Sequence, residues 1–414
     1  MKKKIFDKEI WNIIHKESLR QENYINLIAS ESYATYEVMK AQGSKLTNKY
    51  AEGYSKNRYY SGCKYIDEIE EKAISRAKKL FSVRYANVQP HSGSQANFSV
   101  YLSVLRPGDK VLGMQLSHGG HLTHGNKCNF SGKLYKFSYY GVENNGYIDY
   151  TKIYDIARTK KPKMIVAGFS SYSRIIDWKK MREIADINDS YLLADISHVA
   201  GLVATKLYPS PVDYADFITL TTHKTLSGPR GALILSNLKD KKILKKIDSS
   251  VFPGTQGGPF MHVIAAKAIA LKDAMSKKFL NYQKRILKNS KEMSKVFLSK
   301  KFTIVSNGTD SHLFVLDLRN KNISGKKASQ ILESSHILVN KNSIPNDLKN
   351  AKVTSGIRIG TTAISRRKIE TKQAKKIAYL ICKILTKKST NTIKKSKQEI
   401  LKICKKYPVY KNLF

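Results

Sequence analysis

An apolar, β-branched run that ends on a lysine is the part of this chain best suited to covalent chemistry. Thr219-Leu220-Thr221-Thr222-His223-Lys224 leads into Thr225-Leu226-Ser227-Gly228-Pro229-Arg230, so the run stops at Lys224 and turns through Gly and Pro. An amine attacks a carbonyl only when unprotonated, and apolar or cationic neighbours lower its pKa. Lys224 is therefore a candidate Schiff-base nucleophile. His91-Ser92-Gly93-Ser94-Gln95-Ala96-Asn97 follows a short strand and precedes a helix-like run. Small residues at a helix N-terminus let backbone N–H groups approach an anion, and the Ser92 and Ser94 hydroxyls can donate. The same residues also fit an ordinary Ser/Gly helix cap. A second glycine turn, Pro253-Gly254-Thr255-Gln256-Gly257-Gly258, either closes over the same anion or is a plain loop.

Asp195 ends the run Leu192-Leu193-Ala194-Asp195 before Ile196-Ser197-His198. A buried carboxylate there would keep a pyridinium nitrogen protonated; the alternative is a capping aspartate. A lysine nucleophile, a ring-nitrogen partner and a phosphate cradle are the three parts a pyridoxal phosphate (PLP) enzyme needs. His118, His121 and His124 recur at spacing three around Gly119-Gly120. Zinc is the competing reading, but no paired cysteine or carboxylate accompanies them, and no metal is expected. A histidine face stacked on a flat ring accounts better for the adjacent glycines. Arg358, in Ser355-Gly356-Ile357-Arg358-Ile359-Gly360, can hold a carboxylate through two parallel hydrogen bonds. Taken alone it reads rather as a surface arginine.

These residues need a scaffold, and the 414 residues allow two or three domains. Residues 1–50 read as a mainly helical arm. Residues 51–272 alternate short apolar strands with helical stretches, which implies an α/β layered domain with a mostly parallel sheet. The expected strands cover residues 86–88, 110–114, 164–169, 191–195, 217–221 and 232–235. Residues 273–414 open on a long charged helix and continue as a smaller α+β domain. The basic tail 383–406 places Ile and Leu at helical spacing and reads as one surface helix. Ligands in open α/β sheets sit beyond the carboxyl ends of the strands, where Asp195 and Lys224 fall.

The formal charge of +42 raises nucleic acid as a partner. The lysines are dispersed and no aromatic-basic interleaving appears, so no specific nucleic acid is expected, only weak binding at low salt. Four scattered cysteines form no CxxC pair, which suits a reducing compartment. No apolar run is long enough to span a bilayer, and the basic residues at the start precede no apolar stretch. No membrane association and a cytoplasmic location are expected.

Together these segments resemble the serine hydroxymethyltransferase family, of the fold-type I PLP-dependent transferases (aspartate aminotransferase-like, α/β). The resemblance runs from about Glu9 to Tyr410. It takes in Leu27-Ile28-Ala29-Ser30-Glu31, Leu46-Thr47-Asn48-Lys49-Tyr50-Ala51-Glu52-Gly53-Tyr54, Arg58-Tyr59-Tyr60, and Asn340-Lys341-Asn342-Ser343-Ile344-Pro345-Asn346-Asp347. It implies transfer of the serine hydroxymethyl carbon to tetrahydrofolate, giving glycine and methylenetetrahydrofolate. It implies PLP held covalently on Lys224, with His223 and Thr221 beside it, Asp195 on the ring nitrogen and His121 stacked on the ring. Ser92, Gly93, Ser94, Gly257 and Gly258 would bind phosphate, with Ser170 and His198 near the phenolic oxygen. Arg358, Ser30 and Tyr60 would hold the amino-acid carboxylate, with His198 also among the substrate-binding residues. Tyr50, Glu52, Tyr60 and the glycine turn are expected from a neighbouring subunit, so a homodimer with shared sites follows. Glu52 would move a proton, a role that needs a carboxyl group able to hold one near neutral pH. Leu116, Gly120, His121, Leu122 and Asn342 would line the folate pocket with Glu52.

Three departures stand out. Ser32 replaces the family's common Asn, and Ile196-Ser197 replaces Met-Ala. Asn350-Ala351-Lys352 replaces a Ser-Pro-Phe segment of the folate pocket. Loss of the aromatic should weaken packing on the pterin or benzoyl ring, while the added lysine favours an anionic polyglutamate tail. The altered 350–352 loop keeps open an alternative activity, a folate-independent PLP aldolase on threonine-like β-hydroxy amino acids.

Overall fold

The computed structural model describes residues 7–410; residues 1–6, weighed above as a possible leader, and 411–414 lie outside the described residues. Seven strands form the central sheet: β1 (Tyr85–Asn87), β2 (Lys110–Met114), β3 (Lys136–Tyr140), β4 (Met164–Gly168), β5 (Tyr191–Asp195), β6 (Phe217–Thr221) and β7 (Ala232–Ser236). Their order across the sheet is β1-β7-β6-β5-β4-β2-β3. The pairings from β6 through to β3 are parallel, and those of β7 with β6 and β1 are antiparallel. This is the mostly parallel α/β sheet expected from the sequence.

The strands are apolar on both faces because both faces are covered. Leu112, Ile165, Ala167, Leu192, Ala194, Ile218, Leu220 and Leu233 join one core. Their neighbours Val111, Met164, Val166, Leu193, Phe217, Ala232 and Ile234 join another. That alternation is the period of two of a pleated strand. The first face is covered by helices Lys64–Phe81 and Met261–Ala274, the second by helix Gly93–Val104. Ile66, Glu70, Ala73, Ala77 and Phe81 recur at three- and four-residue spacing along the buried face of their helix.

A second core gathers around an antiparallel four-stranded sheet of Thr303–Ile304, Leu313–Asp317, Asn340–Asn342 and Gly356–Gly360. The helix Lys277–Ser299 joins the two, giving Phe279, Tyr282 and Ile286 to the first core and Met293 and Phe297 to the second.

Three features differ from the sequence reading. The arm holds helices Lys8–Asn23 and Tyr36–Gln42, but also a strand, Ile25–Asn26, paired parallel with Ile337–Leu338. Ile25 and Leu27 are buried in the second core, so this stretch is part of that body. Strand β3 was missed because Lys136, Ser138 and the tyrosines dilute the apolar signal of this edge strand. The tail is two helices, Thr371–Lys387 and Thr390–Lys406. They break at Lys388, which adopts φ 52°, and restart at Ser389, whose side chain accepts from Thr392 N. Among the described residues no helix is long and apolar enough to cross a membrane.

Candidate active site

A cavity of about 360 Å³ opens at the carboxyl ends of the parallel strands. Asp195 closes β5, Thr221 closes β6 with His223 and Lys224 just beyond, and Phe169 and Ser170 follow β4. Ser92, Gly93, Ser94 and Asn97 reach it from the start of helix Gly93–Val104, and His121 from the loop after β2. Ser30 and Glu31 come from the arm, Arg358 from the smaller sheet, and Ser197, His198 and Arg230 complete the wall.

The turn after β6 holds Lys224 in place: Ser227 N donates to Lys224 O at 2.9 Å and Gly228 N to Thr222 O at 2.8 Å. The side chain is 8% exposed. Burial pushes its pKa down, Asp195 pulls it up, and Arg358 and Arg230 push it down again, leaving it at about 8. Asp195 sits in a full set of donors. Ser197 N reaches Oδ1 at 3.0 Å, while Asn97 Nδ2 at 2.9 Å and His124 Nε2 at 3.1 Å reach Oδ2. Burial alone would raise its pKa, but the hydrogen bond from His124 and the nearby histidines outweigh it and hold the carboxyl well below the usual range. Ser197 N is capped, as the capping reading expects, and Asp195 also lines the cavity.

Asn97 also donates to Thr123 Oγ1 at 2.8 Å and accepts from Thr219 Oγ1 at 2.6 Å. Thr123 Oγ1 lies 2.8 Å from His121 Nδ1. One hydrogen-bonded chain therefore fixes His121 relative to Asp195. Burial, then His124, lower the His121 pKa to about 4, so the ring that lines the cavity is neutral. The three histidines read as a possible metal set go separate ways: His118 Nδ1 accepts from Val142 N, His121 meets Thr123 and His124 meets Asp195. Among the described residues no His/Cys/Asp/Glu group has metal-holding geometry.

The cradle is both cap and anion site. Ser92 Oγ accepts from Gln95 N at 3.3 Å, and Ser92 O from Ala96 N. The N–H groups of Gly93 and Ser94 have no acceptor among the described residues, which leaves two donors at a helix N-terminus for an anion. A Cβ on Gly93 would lie 2.7 Å from Thr221 Cγ2, so only glycine lets this turn sit against the lysine strand. Arg358 is 8% exposed, donates from Nε to Asn340 Oδ1 at 3.0 Å and from Nη1 to Ser170 O at 2.6 Å. Both acceptors are neutral, and no described carboxylate lies within ion-pair distance. Burial lowers its pKa to about 10, so it remains a cation.

Other expected site residues lie elsewhere in this chain. Tyr50, Glu52, Tyr60, Gly257 and Gly258 form a second cluster that does not line the Lys224 cavity. Tyr50 OH donates to Glu52 Oε1 at 3.2 Å, the Tyr50 and Tyr60 rings meet edge-on at 5.1 Å, and a Cβ on Gly258 would lie 3.0 Å from the Tyr50 ring. Arg58 anchors this cluster, donating to Ala51 O and Gly53 O on either side of Glu52 while pairing with Asp67 and Glu70. Leu116 and Leu122 are exposed and, with Gly120 and Asn342, also lie outside the cavity lining. Asn342 lines a narrow neighbouring pocket with Ser117, His118 and Pro345. The glycines beside His121 serve the turn rather than a ring: Gly119 has φ +119°, and a Cβ on Gly120 would strike Met114 O. Asn350, Ala351 and Lys352 form an exposed turn closed by Lys352 N on Asn350 Oδ1 at 3.0 Å.

Sequence reasoning assigned no role to Asn97, Thr123, Glu31 or His312, and read His124 only as one of three histidines that either bind metal or face a flat ring. Asn97 was within reach: it lies four residues after Gly93, one turn along the same helix face.

A family model described as serine hydroxymethyltransferase matches residues 3–381. A protein of Wigglesworthia glossinidia brevipalpis named serine hydroxymethyltransferase is 60% identical over 413 residues, covering 99% of this chain and 98% of that one. Proteins of the same name from Blochmanniella pennsylvanica and from Buchnera aphidicola subsp. Acyrthosiphon pisum (strain 5A) are each 57% identical over 406 residues. They cover 98% of this chain and 98% and 97% of their own length.

Proposed function

The chain belongs to the serine hydroxymethyltransferase family, and from that premise we propose how its residues divide the work. The activity is the reversible transfer of the hydroxymethyl carbon of serine to tetrahydrofolate, giving glycine and methylenetetrahydrofolate. The family implies PLP, and the cavity fits it. The observation that carries the assignment is one cavity holding a buried low-pKa lysine, an ionised buried aspartate, two unpaired helix N–H groups and an arginine without a carboxylate partner.

When bound, PLP supplies an electron sink for the bond that breaks at the amino-acid Cα. Lys224 Nζ holds it covalently. Asp195 keeps the ring nitrogen protonated, and the Asn97–Thr123–His121 chain sets the face of the ring. The Gly93 and Ser94 N–H groups take the phosphate. Arg358 would hold and orient the substrate carboxylate with Ser30, and His198 would stand near the phenolic oxygen of the cofactor. Leu116, Leu122, Asn342 and the 350–352 turn lie toward folate.

The glycine α-proton tests the two halves together. Its exchange with solvent is expected to proceed slowly on the protein alone and to accelerate strongly when tetrahydrofolate is added. Exchange indifferent to folate would overturn the folate half and leave only the PLP half.

The second cluster belongs, on this reading, to the partner's site in a homodimer. Its tyrosines are exposed and it does not line its own cavity. Helix Lys8–Asn23 buries no residue and presents Ile10, Trp11, Ile13 and Ile14 outward, an apolar surface of the kind subunit contacts cover. A mixing experiment separates the alternatives. Lys224→Ala and Glu52→Gln chains, each inactive alone, are refolded together. Shared sites leave one intact site per mixed dimer, so roughly a quarter of wild-type activity returns. If Glu52 serves its own chain, no activity returns.

A further inference from the structure

Helix Met261–Ala274 buries a lysine, Lys267, to 1% exposure. Its nitrogen meets no carboxylate among the described residues. It reaches three carbonyls instead: Val88 O at 2.6 Å, Pro90 O at 3.0 Å and Ala232 O at 3.0 Å. Burial pushes its pKa down to about 7, and Glu70, itself engaged by Arg58 and Gln89, pulls it back up. Protonated, the nitrogen donates to all three carbonyls; neutral, it still donates to two.

These carbonyls belong to two parts of the frame around the cavity. Ala232 opens β7 and lies opposite Thr221 in the ladder with β6, so it is fixed by the sheet. Val88 and Pro90 lie in the strap between the end of β1 at Asn87 and the cradle at Ser92-Gly93-Ser94. That strap belongs to no strand, and side chains take most of its carbonyls. Gln256 Nε2 donates to Gln89 O at 2.9 Å, Lys267 takes Val88 O and Pro90 O, and Ala232 N adds one backbone bond to Pro90 O at 3.2 Å. The same helix face packs on the turn after Lys224. A Cβ on Gly228 would lie 2.8 Å from Ala270 Cβ, and one on Gly231 would lie 2.5 Å from Lys267 Cε. Ala270 follows Lys267 by three residues, so both side chains share that face. Glycine at 231 leaves the room through which the lysine stem crosses the turn.

We propose that Lys267 is a positioning residue for the cofactor phosphate: by tying the strap to β7 it sets where the Gly93 and Ser94 N–H groups stand relative to Lys224. This rests on the reading above that those two groups take the phosphate. Lys224 holds the aldehyde end of the cofactor and the cradle holds the other, and only the second hangs on the strap. Without the Lys267 nitrogen, Val88 O has no donor among the described residues, and a strap with an unmet carbonyl moves to find one.

Pyridoxal, which lacks the phosphate, separates the two ends. Full-length protein is freed of cofactor and reloaded with PLP or with pyridoxal, and each affinity is read from the absorbance of the lysine-bound ligand. The wild type should prefer PLP strongly. In Lys267→Met, which keeps an apolar stem but no donor, PLP affinity should fall about 10- to 100-fold while pyridoxal affinity hardly changes. Lys267→Gln keeps an amide donor and should lose less; it carries the test if the methionine variant does not fold. Unchanged PLP affinity in the folded variants overturns the proposal. Equal losses for PLP and pyridoxal also overturn it, since they mark general damage to the fold. A wild type that binds PLP and pyridoxal equally well would overturn the cradle reading itself.

Discussion

A Lys224→Ala enzyme is expected to lose its covalent hold on the cofactor, and activity should fall by roughly 10³-fold or more, the scale of removing a positioned nucleophile. Borohydride treatment followed by peptide mass analysis reads this directly. The wild type should carry the cofactor mass on the peptide containing Lys224, and the variant should carry none. The argument does not rest on low pKa alone, because Lys267 is lower still, at about 7, driven down by burial. Geometry separates the two lysines. Lys267 Nζ is engaged with Val88 O, Pro90 O and Ala232 O at 2.6–3.0 Å, which ties it to the backbone as a structural clamp. Lys224 has no such partners among the described residues and lines the cavity.

The pH dependence follows with a definite sign. The neutral amine attacks, so capture of PLP by apoenzyme should rise with pH and level off above about 8. At pH 7 that value gives about 300-fold more neutral amine than an ordinary lysine has. Asp195 stabilises the protonated form, so Asp195→Asn should move the midpoint down. Arg358 destabilises it, so removing that charge should move it up.

Much of this site was legible because strand ends and turns leave local marks. The apolar runs at β2, β5 and β6 gave strand bounds matching the structure, and the residues that end or follow β5 and β6 proved to be the ones facing the cavity. What the sequence hid was of two kinds. Weakly apolar pairing was one: β3 and Ile25–Asn26 exist through partners far along the chain, Lys110–Met114 and Ile337–Leu338. Support from distant segments was the other. His312 lies 114 residues from His198, and Asn97 lies 98 residues from Asp195, so no spacing rule joins them. His124 was visible as one of three histidines, but periodicity cannot tell a shared ligand set from three separate contacts. The Tyr50–Glu52–Tyr60 cluster lies outside the cavity lining of its own chain, a separation that no local motif announces.

Arg358 makes the last large prediction. Its Nε and Nη1 are spent on Asn340 and Ser170 O, which lock the guanidinium plane and leave Nη2 as the unspent arm of the fork. A buried cation with only neutral partners is costly to keep, and a substrate carboxylate offsets that cost when it arrives. Arg358→Ala should therefore weaken glycine and serine binding by about 2–5 kcal/mol, roughly 30- to 5,000-fold in affinity, as for truncation of one member of a buried charged pair. Arg358→Lys should recover only part of this. It restores the charge but not the plane, and it cannot keep both anchoring bonds and still reach the carboxylate. Titration with glycine measures the binding term directly. If Arg358 also sets the orientation about Cα, kcat for serine should fall alongside affinity, and the lysine variant should improve KM more than kcat. Equal glycine affinity in all three proteins would remove Arg358 from the site. Its lack of a carboxylate partner would then need a different ligand.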